Sequence, residues 1–456
     1  MKRKFKRIKQ IVAVFLFIYP LFCCKDFLTI DLPKDQLVNA NVFTDEQSAK
    51  AALFGIYGDG LSQNPLGGTW EIALALSADE LQTQSTDANY MQFQTNEVLT
   101  DNSQLDGIWN ALYNVIYQAN SILEGIAGSS GLKGQVRDQI SGEAYFMRAY
   151  AHFLLLNAWG DIPLILTTNY QVNQAFPKEQ KSKVYRQVLD DLQHAYQLIS
   201  DEYQGDERVR PNKAAVAALL ARVYLYLNDW ESAAAYATEV IKNPAYELSD
   251  IESTFLKESK ETVWQLMSVS RSNNTVITAQ LVPSSTSSVP TMTLRRGLVQ
   301  LFEGNDRRFT SWVGRNIAQG EEYFYAYKYK VKTAATKQEY LIVFRLAELY
   351  LIRAEALVHL QKLGDAEKDL NVIRHRANIS DVHATSEDQL LTLVSEERQR
   401  ELFLEGGHRW FDLKRTGNVD KIMAEVNEGW EPYKQLWPIP YNQLMANPFL
   451  AQNDGY

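Results

Sequence analysis

Apolar residues recur at three- and four-residue intervals over much of this chain, and that period predicts helices. In "QISGEAYFMRAYAHFLLLNAW" the positions Ala144, Met147, Ala151, Leu154 and Ala158 fall on one stripe, and Gly160 and Pro163 in "WGDIP" close the helix. Comparable stripes run through "QLDGIWNALYNVIYQANSILEGI", "VYRQVLDDLQHAYQLI" and "EERQRELFLEG". Two segments share a further pattern. In "AALLARVYLYLNDWESAAAYATEVIKNP" Ala221 is followed by Tyr224 and Ala233; in "YLIRAEALVHLQKLGDAEKDLNVIRHRAN" Ala354 is followed at the same offsets by Leu357 and Ala366. Small and large residues in that order are those of a tetratricopeptide-type helical hairpin, whose alanines let paired helices approach closely. Such pairs bury their faces only against neighbours, so three or four packed pairs are expected.

The pattern breaks in two places, Asn39 to Asn102 and Tyr246 to Gln338. Within the second, "ETVWQLMSV" is strand-like, and Tyr323, Tyr325, Tyr327 and Tyr329 alternate with other residues. A single strand would place all four tyrosines on one face, either as a sugar platform or, as the commoner use of aromatic area, packed on the scaffold. "LVPSSTSSVPTMT", Leu281 to Thr293, reads as a loop. The fold class expected is mainly α: a scaffold of helical pairs, a few short strands and an irregular, loop-rich face.

The 456 residues carry 46 Lys and Arg against 55 Asp and Glu. Six of the basic residues lie in the first ten positions, ahead of the apolar run "IVAVFLFIYPLF". A basic stretch and then a short apolar one have the form of an export signal, too short to span a bilayer. Its removal leaves 40 Lys and Arg against 55 acids, a net of −15. An acidic chain lacks the basic footprint of nucleic-acid binding, and none is expected.

The only two cysteines, Cys23 and Cys24, are adjacent in "LFCCKDFL". Neighbouring cysteines close no useful loop. The six histidines are scattered and neither CxxC nor HExxH occurs, so no metal site and no cofactor are expected. Leu21, Phe22 and Cys23 before Cys24 resemble the lipobox of bacterial lipoproteins. Cys23 stands where Gly, Ala or Ser is usual, but Leu three places upstream favours Cys24 as the acylated N-terminus.

Several segments together resemble the SusD/RagB family of outer-membrane nutrient-binding lipoproteins. In order they are "DFLTIDLPKDQL", "FTDEQSAKAALFGIY", "WNALYNVIYQAN", "GEAYFMRAYAHFLLLNAWGDIPL", "FRLAELYLIRAEAL", "ERQRELFLEGGHRWFDLKRTG" and "WPIPYNQLMANPFLAQNDGY". The resemblance implies a signal peptide over 1–23, a SusD-like N-terminal part over 24–245 and a RagB/SusD C-terminal part over 246–456, forming one compact unit. It also implies a non-enzymatic, lipid-anchored protein of the outer membrane, facing outward. Such proteins deliver oligosaccharide, or in some branches peptide, to a SusC-like TonB-dependent channel.

Non-covalent sugar recognition uses flat aromatic rings with amides and guanidinium groups. Trp70, Gln82, Asn89, Tyr90 and Phe93 in "GGTWEIALALSADELQTQSTDANYMQFQTNE", with Arg271, Asn273 and Asn274 in "SVSRSNNTV", are the candidates. In the family these two regions supply ligand loops. Trp109, Trp159, Trp230, Trp410 and Trp437 sit in scaffold segments and are assigned to packing. The cluster Glu397, Arg398, Arg400, Glu401, Glu405, Arg409, Asp412 and Arg415 reads as a structural charge network, because each charge has a partner within helical reach. Asp79, Glu80 and Asp87 keep open a rival reading, a glycoside hydrolase, which needs two carboxylates flanking a scissile bond. "GDGLSQ" lacks the third glycine of a nucleotide-binding loop, and no G-x-S-x-G occurs.

Overall fold

The computed structural model describes residues 43–61, 65–270 and 274–456. The signal and both cysteines lie outside the described residues, as do Arg271 and Asn273. Twelve of the helices carry the architecture. Three are α1 (Glu46–Gly55), α2 (Thr69–Ser77) and α3 (Ala88–Thr95), inside the stretch whose sequence reads as irregular. Next come α4 (Ser103–Ala127), α5 (Gly134–Trp159), α6 (Lys181–Leu198), α7 (Lys213–Tyr226) and α8 (Trp230–Lys242). The last are α9 (Leu346–His359), α10 (Leu363–Arg376), α11 (Glu387–Leu402) and α12 (His408–Arg415).

Local chemistry sets these ends. The Asn102 carboxamide accepts from the amides of Gln104 and Leu105 to start α4, and Asp229 accepts from Ser232 to start α8. Gly160, at φ +80, stops α5. α4 packs on α5, α5 on α6, α7 on α8, α8 on α9 and α9 on α10, a layered array of helical pairs. Ala221, Ala233, Ala354 and Ala366 are fully buried, as the hairpin pattern requires. Trp230 stacks on His359 with ring centroids 3.9 Å apart, tying the start of α8 to the end of α9. α5 departs from its expected single stripe. Between Gln139 and Trp159 it is buried on nearly every side, because helices cover it on two faces and β2 packs its Trp264 against Phe146 and Tyr150.

Among the described residues six short strands form three antiparallel pairs. β1 (Leu81–Thr83) pairs with β3 (Met292–Leu294), β2 (Thr262–Leu266) with β6 (Leu341–Arg345), and β4 (Val313–Ala318) with β5 (Glu321–Ala326). Gln319 and Gly320, both at positive φ, make the two-residue turn of the last pair. The four tyrosines do not form one ladder. β5 ends at Ala326; Tyr327 then donates its amide to the Trp312 carbonyl, and Lys328 turns inward. Tyr325 and Tyr329 are buried, and the Tyr329 hydroxyl accepts from the Ile342 amide at 2.8 Å.

The irregular half is fastened to the helices by buried charges. Arg345, at the β6–α9 junction, bonds Glu261 before β2 (2.7 Å), Glu401 on α11 (2.5 Å) and Glu405 in the following turn (2.7 Å). Arg376 bridges Glu261 and Glu401 from α10, and Arg308 bonds Asp306, Glu397 and Glu401. Lys328 donates to Glu405 and to the carbonyls of Glu401 and Phe403. Burial alone would raise the Glu401 carboxyl, but Arg376, Arg345 and Arg308 outweigh it and hold it well below the usual range. The cluster is therefore structural, as its sequence suggests. Removing one member leaves opposite charges buried and unpaired. Arg345→Ala is expected to lower stability by about 3–5 kcal/mol, read from urea unfolding midpoints.

The turn after α11 needs two glycines. Gly406 and Gly407 have φ of +55 and +67, and a Cβ on Gly407 would lie 2.2 Å from Leu74 Cδ1. Gly364, near the start of α10, faces open space. Gly407→Ala should cost about 2–4 kcal/mol through strain and overpacking, whereas Gly364→Ala should be neutral or stabilising. Thermal melts of the two variants check this contrast.

Candidate functional site

Loops from both halves converge on one face. β1 brings Gln82 beside Thr293 of β3, and Gln84 extends the pairing, its amide donating to the Thr291 carbonyl and its side chain to Thr293. Tyr90, half-buried on α3, accepts at its hydroxyl from Gln280 Nε2 at 3.2 Å, which joins α3 to the short helix Val276–Leu281. The loop after that helix is anchored by Asn316, whose carboxamide donates to the carbonyls of Ser285 and Ser288 at 2.9 Å each. Lys337 holds the neighbouring segment by donating to the carbonyls of Ser268 and Ser270. Met91, Met267 and Val269 are exposed. Side-chain amides, a tyrosine and apolar patches on an anchored framework are groups that engage hydroxyls and the apolar faces of sugar rings.

Three of the residues chosen by chemical type belong to the interior instead. Trp70 is 2% exposed and packs edge-on against Trp437, with centroids 5.8 Å apart, and tilted against Phe411 at 6.1 Å. Phe93 packs on the same Trp437 at 5.1 Å. Asn274 is fully buried and its Oδ1 accepts from the amides of Gln338 and Glu339. The reason is common to all three: α2 is a wholly buried helix, α3 turns one ring inward, and a buried carboxamide satisfies a turn. Asn89 is half-buried, its side chain engaged by Asp87 and by the amide of Ser103. Among the described candidates Gln82, Asn89 and Tyr90 keep accessible surface, and of these the Asn89 side chain is already engaged. Gln84 and Gln280 join them, Gln84 beside Gln82 through the β1–β3 pairing and Gln280 through its bond to Tyr90.

The acids of the hydrolase reading are committed to structure. Asp79 forms a bidentate pair with Arg409 at 2.7 Å, and Asp87 caps α3. Glu80 is buried and accepts from the Leu404 amide; burial, reinforced by the charge of Asp79, pushes its carboxyl up to about 8. Among the described residues no group of three or more His, Cys, Asp or Glu could hold a metal ion, and no helix is long and apolar enough to cross a membrane.

Family comparison fits this geometry. Residues 56–225 match a model described as "Starch-binding associating with outer membrane", and residues 304–456 match the model of the SusD family. The chain belongs to the SusD/RagB family. A SusD-like protein of Formosa agariphila is 22% identical, with 98% of this chain and 99% of the relative covered. A SusD superfamily structure from Bacteroides vulgatus superposes with a TM-score of 0.82 at 21% identity, over 91% of this chain and all of the other. A laminarin-binding SusD-like protein superposes with a TM-score of 0.75 at 22% identity, over 90% of this chain and all of the other. At such identities the structural likeness speaks for the fold, which is the mainly helical SusD fold.

Glu80 yields a pH dependence. Its folded pKa of about 8 lies above the ordinary value of 4.5, so the folded state keeps a proton that the unfolded state releases. The stability this supplies is full below about 4.5 and is lost progressively as pH rises towards 8. Glu80→Gln should flatten that part of the decline and gain about 1–2 kcal/mol at pH 8, with little change at pH 4.5, by urea unfolding at the two pH values.

Proposed function

We propose that this chain is a cell-surface lipoprotein of the outer membrane, anchored at Cys24, that captures oligo- or polysaccharide and passes it to a SusC-like TonB-dependent channel. The observation that carries the reading is the framed face on which Gln82, Gln84, Tyr90 and Gln280 meet from both halves of a SusD fold. Its tyrosine and amides suit sugar rings and hydroxyls, while the acids nearest to it are consumed by Arg409, Leu404 and the α3 cap. Capture without turnover is what such a site supports. The matching family model described as starch-binding and the laminarin-binding structural neighbour point to glucans as the first ligands to try. Peptide capture, known in the RagB branch, would need a strand edge or pockets for side chains.

Isothermal titration of the full chain in detergent against starch, laminarin and other glycans, with a mixed peptide pool alongside, tests the proposal. Saturable binding of a glycan is expected, weakened about tenfold by Tyr90→Ala with the fold retained by circular dichroism and the melting temperature lowered only by the lost ring packing and Gln280 bond. Peptide binding with no glycan binding would replace the reading.

A further inference from the structure

A cavity of about 610 Å³ lies between the end of α5, the start of α6, the end of α12 and the C-terminal strap. It shares no residue with the face described above, and its charge is unusual for this protein. Buried cations elsewhere meet carboxylates: Arg148 bonds Asp191, Arg222 bonds Glu348, and Arg345 bonds three glutamates. Here Lys178, Lys181 and Lys414 face the cavity, and none forms an ion pair with a carboxylate among the described residues. Lys414 donates to the Asn157 carbonyl at 2.5 Å, and its ammonium stands 5.7 and 5.8 Å from the rings of Trp410 and Phe411. Lys178 donates to the Gln452 carbonyl and to Asn453 Oδ1. Lys181, at the exposed rim, has the Tyr185 ring 5.6 Å away. Arg415 also lines the cavity but is neutralised by Glu355 and Asp412. The acids lining it, Asp161 and Asp454, are solvent-exposed; Asp161 accepts from the Lys181 backbone amide at 2.8 Å and its charge partly offsets that lysine's, whereas Lys178 and Lys414 have no carboxylate within ion-pair distance among the described residues. Enclosure, with Lys181 adding to it, pushes the Lys414 amine well below its usual range, and an anion placed among the three lysines would favour its charged form.

Next to it is a cleft of about 790 Å³ lined by Tyr433, Tyr441 and Tyr456, with Leu99, Glu97 and Asp101. Tyr433 lines both hollows. The strap lies directly against it: a Cβ on Gly455 would meet the Tyr433 ring at 2.3 Å, and Tyr456 packs edge-on with centroids 5.1 Å apart. Tyr441 is 52% exposed. Lysines in one compartment and tyrosine faces in the next, divided by one ring, match a ligand with a charged group beside flat apolar surface.

We propose that the two hollows form a second binding site, for an oligosaccharide bearing a carboxylate or sulfate ester, with the oxyanion among Lys178, Lys181 and Lys414 and a neighbouring sugar ring against Tyr441. Free oxyanion is the rival occupant of the cationic compartment. Isothermal titration of the full chain in detergent with oligogalacturonate, its methyl ester, a heparin-derived oligosaccharide, its desulfated form and sodium sulfate separates them. At least one charged oligosaccharide should bind tenfold or more tightly than both its neutralised form and sulfate. Lys181→Gln, which removes no hydrogen bond from the fold, should weaken that binding about tenfold, and Tyr441→Ala should weaken it while leaving the melting temperature unchanged. Tyr90→Ala should not affect it, which keeps this outcome separate from that of the glycan face. Equal binding of charged and neutralised sugars, sulfate binding as tightly as the sugar, no binding of either charged sugar, or no effect of Lys181→Gln would each overturn the proposal.

Discussion

The fold depends on keeping a dense set of charges buried at one junction. Glu397 and Glu401 lie four residues apart on one edge of α11, and the turn after the helix brings Glu405 beside them, so three buried carboxylates meet at one junction. Arginines reach that edge from three other parts of the chain: Arg308 from the irregular half, Arg345 from the end of β6, and Arg376 from the end of α10. Each such pair loses hydration on burial, so the arrangement persists only with all partners in place. This makes the irregular half and the helical array interdependent. Lys328 extends the same junction, held by Glu405 and two carbonyls just beyond the end of β5, where β4 offers no further partner residue.

That interdependence has a consequence for the loops. The segment between the short helix Val276–Leu281 and β3 has few apolar residues of its own, yet it is fixed through Asn316 and the β1–β3 pairing. β4, which carries Asn316, follows directly on the helix containing Arg308. A polar face is thus presented on a framework whose rigidity comes from behind it, which lowers the ordering cost of ligand capture. The acids near this face are spent on the same task, Asp79 on Arg409 and Glu80 on the Leu404 amide.

Much of this was legible in the sequence, and the failures have physical causes. Helical period and the recurring alanines identify α4 to α11, since an amphipathic or closely packed helix writes its contacts into its spacing. The charged segment after Glu396 was readable as structural from its balance of charge, although most of its partners, among them Arg308, Arg345, Arg376 and Asp79, lie outside helical reach. Ligand residues were less legible. An aromatic residue in a polar stretch looks the same whether its ring points out, as Tyr90 partly does, or in, as Trp70 and Phe93 do. α2 has no polar face to announce itself, and its burial follows from covering elements distant in sequence. Alternation of the four tyrosines gave a correct strand only to Ala326, because β4 offers no further partner residue beyond it, and no local period contains that limit. Gln84 and Gln280 carry no local signal at all; strand pairing and one hydrogen bond place them.

Buried charge makes the irregular half and the helical array one cooperative unit. Native-state hydrogen exchange under increasing denaturant measures this directly. The amides of β6 and those of central α5 should exchange through the same global opening, with equal free energies and equal denaturant dependence. If β6 instead opens at markedly lower free energy and with a smaller denaturant dependence than α5, the two parts unfold separately and the account is contradicted.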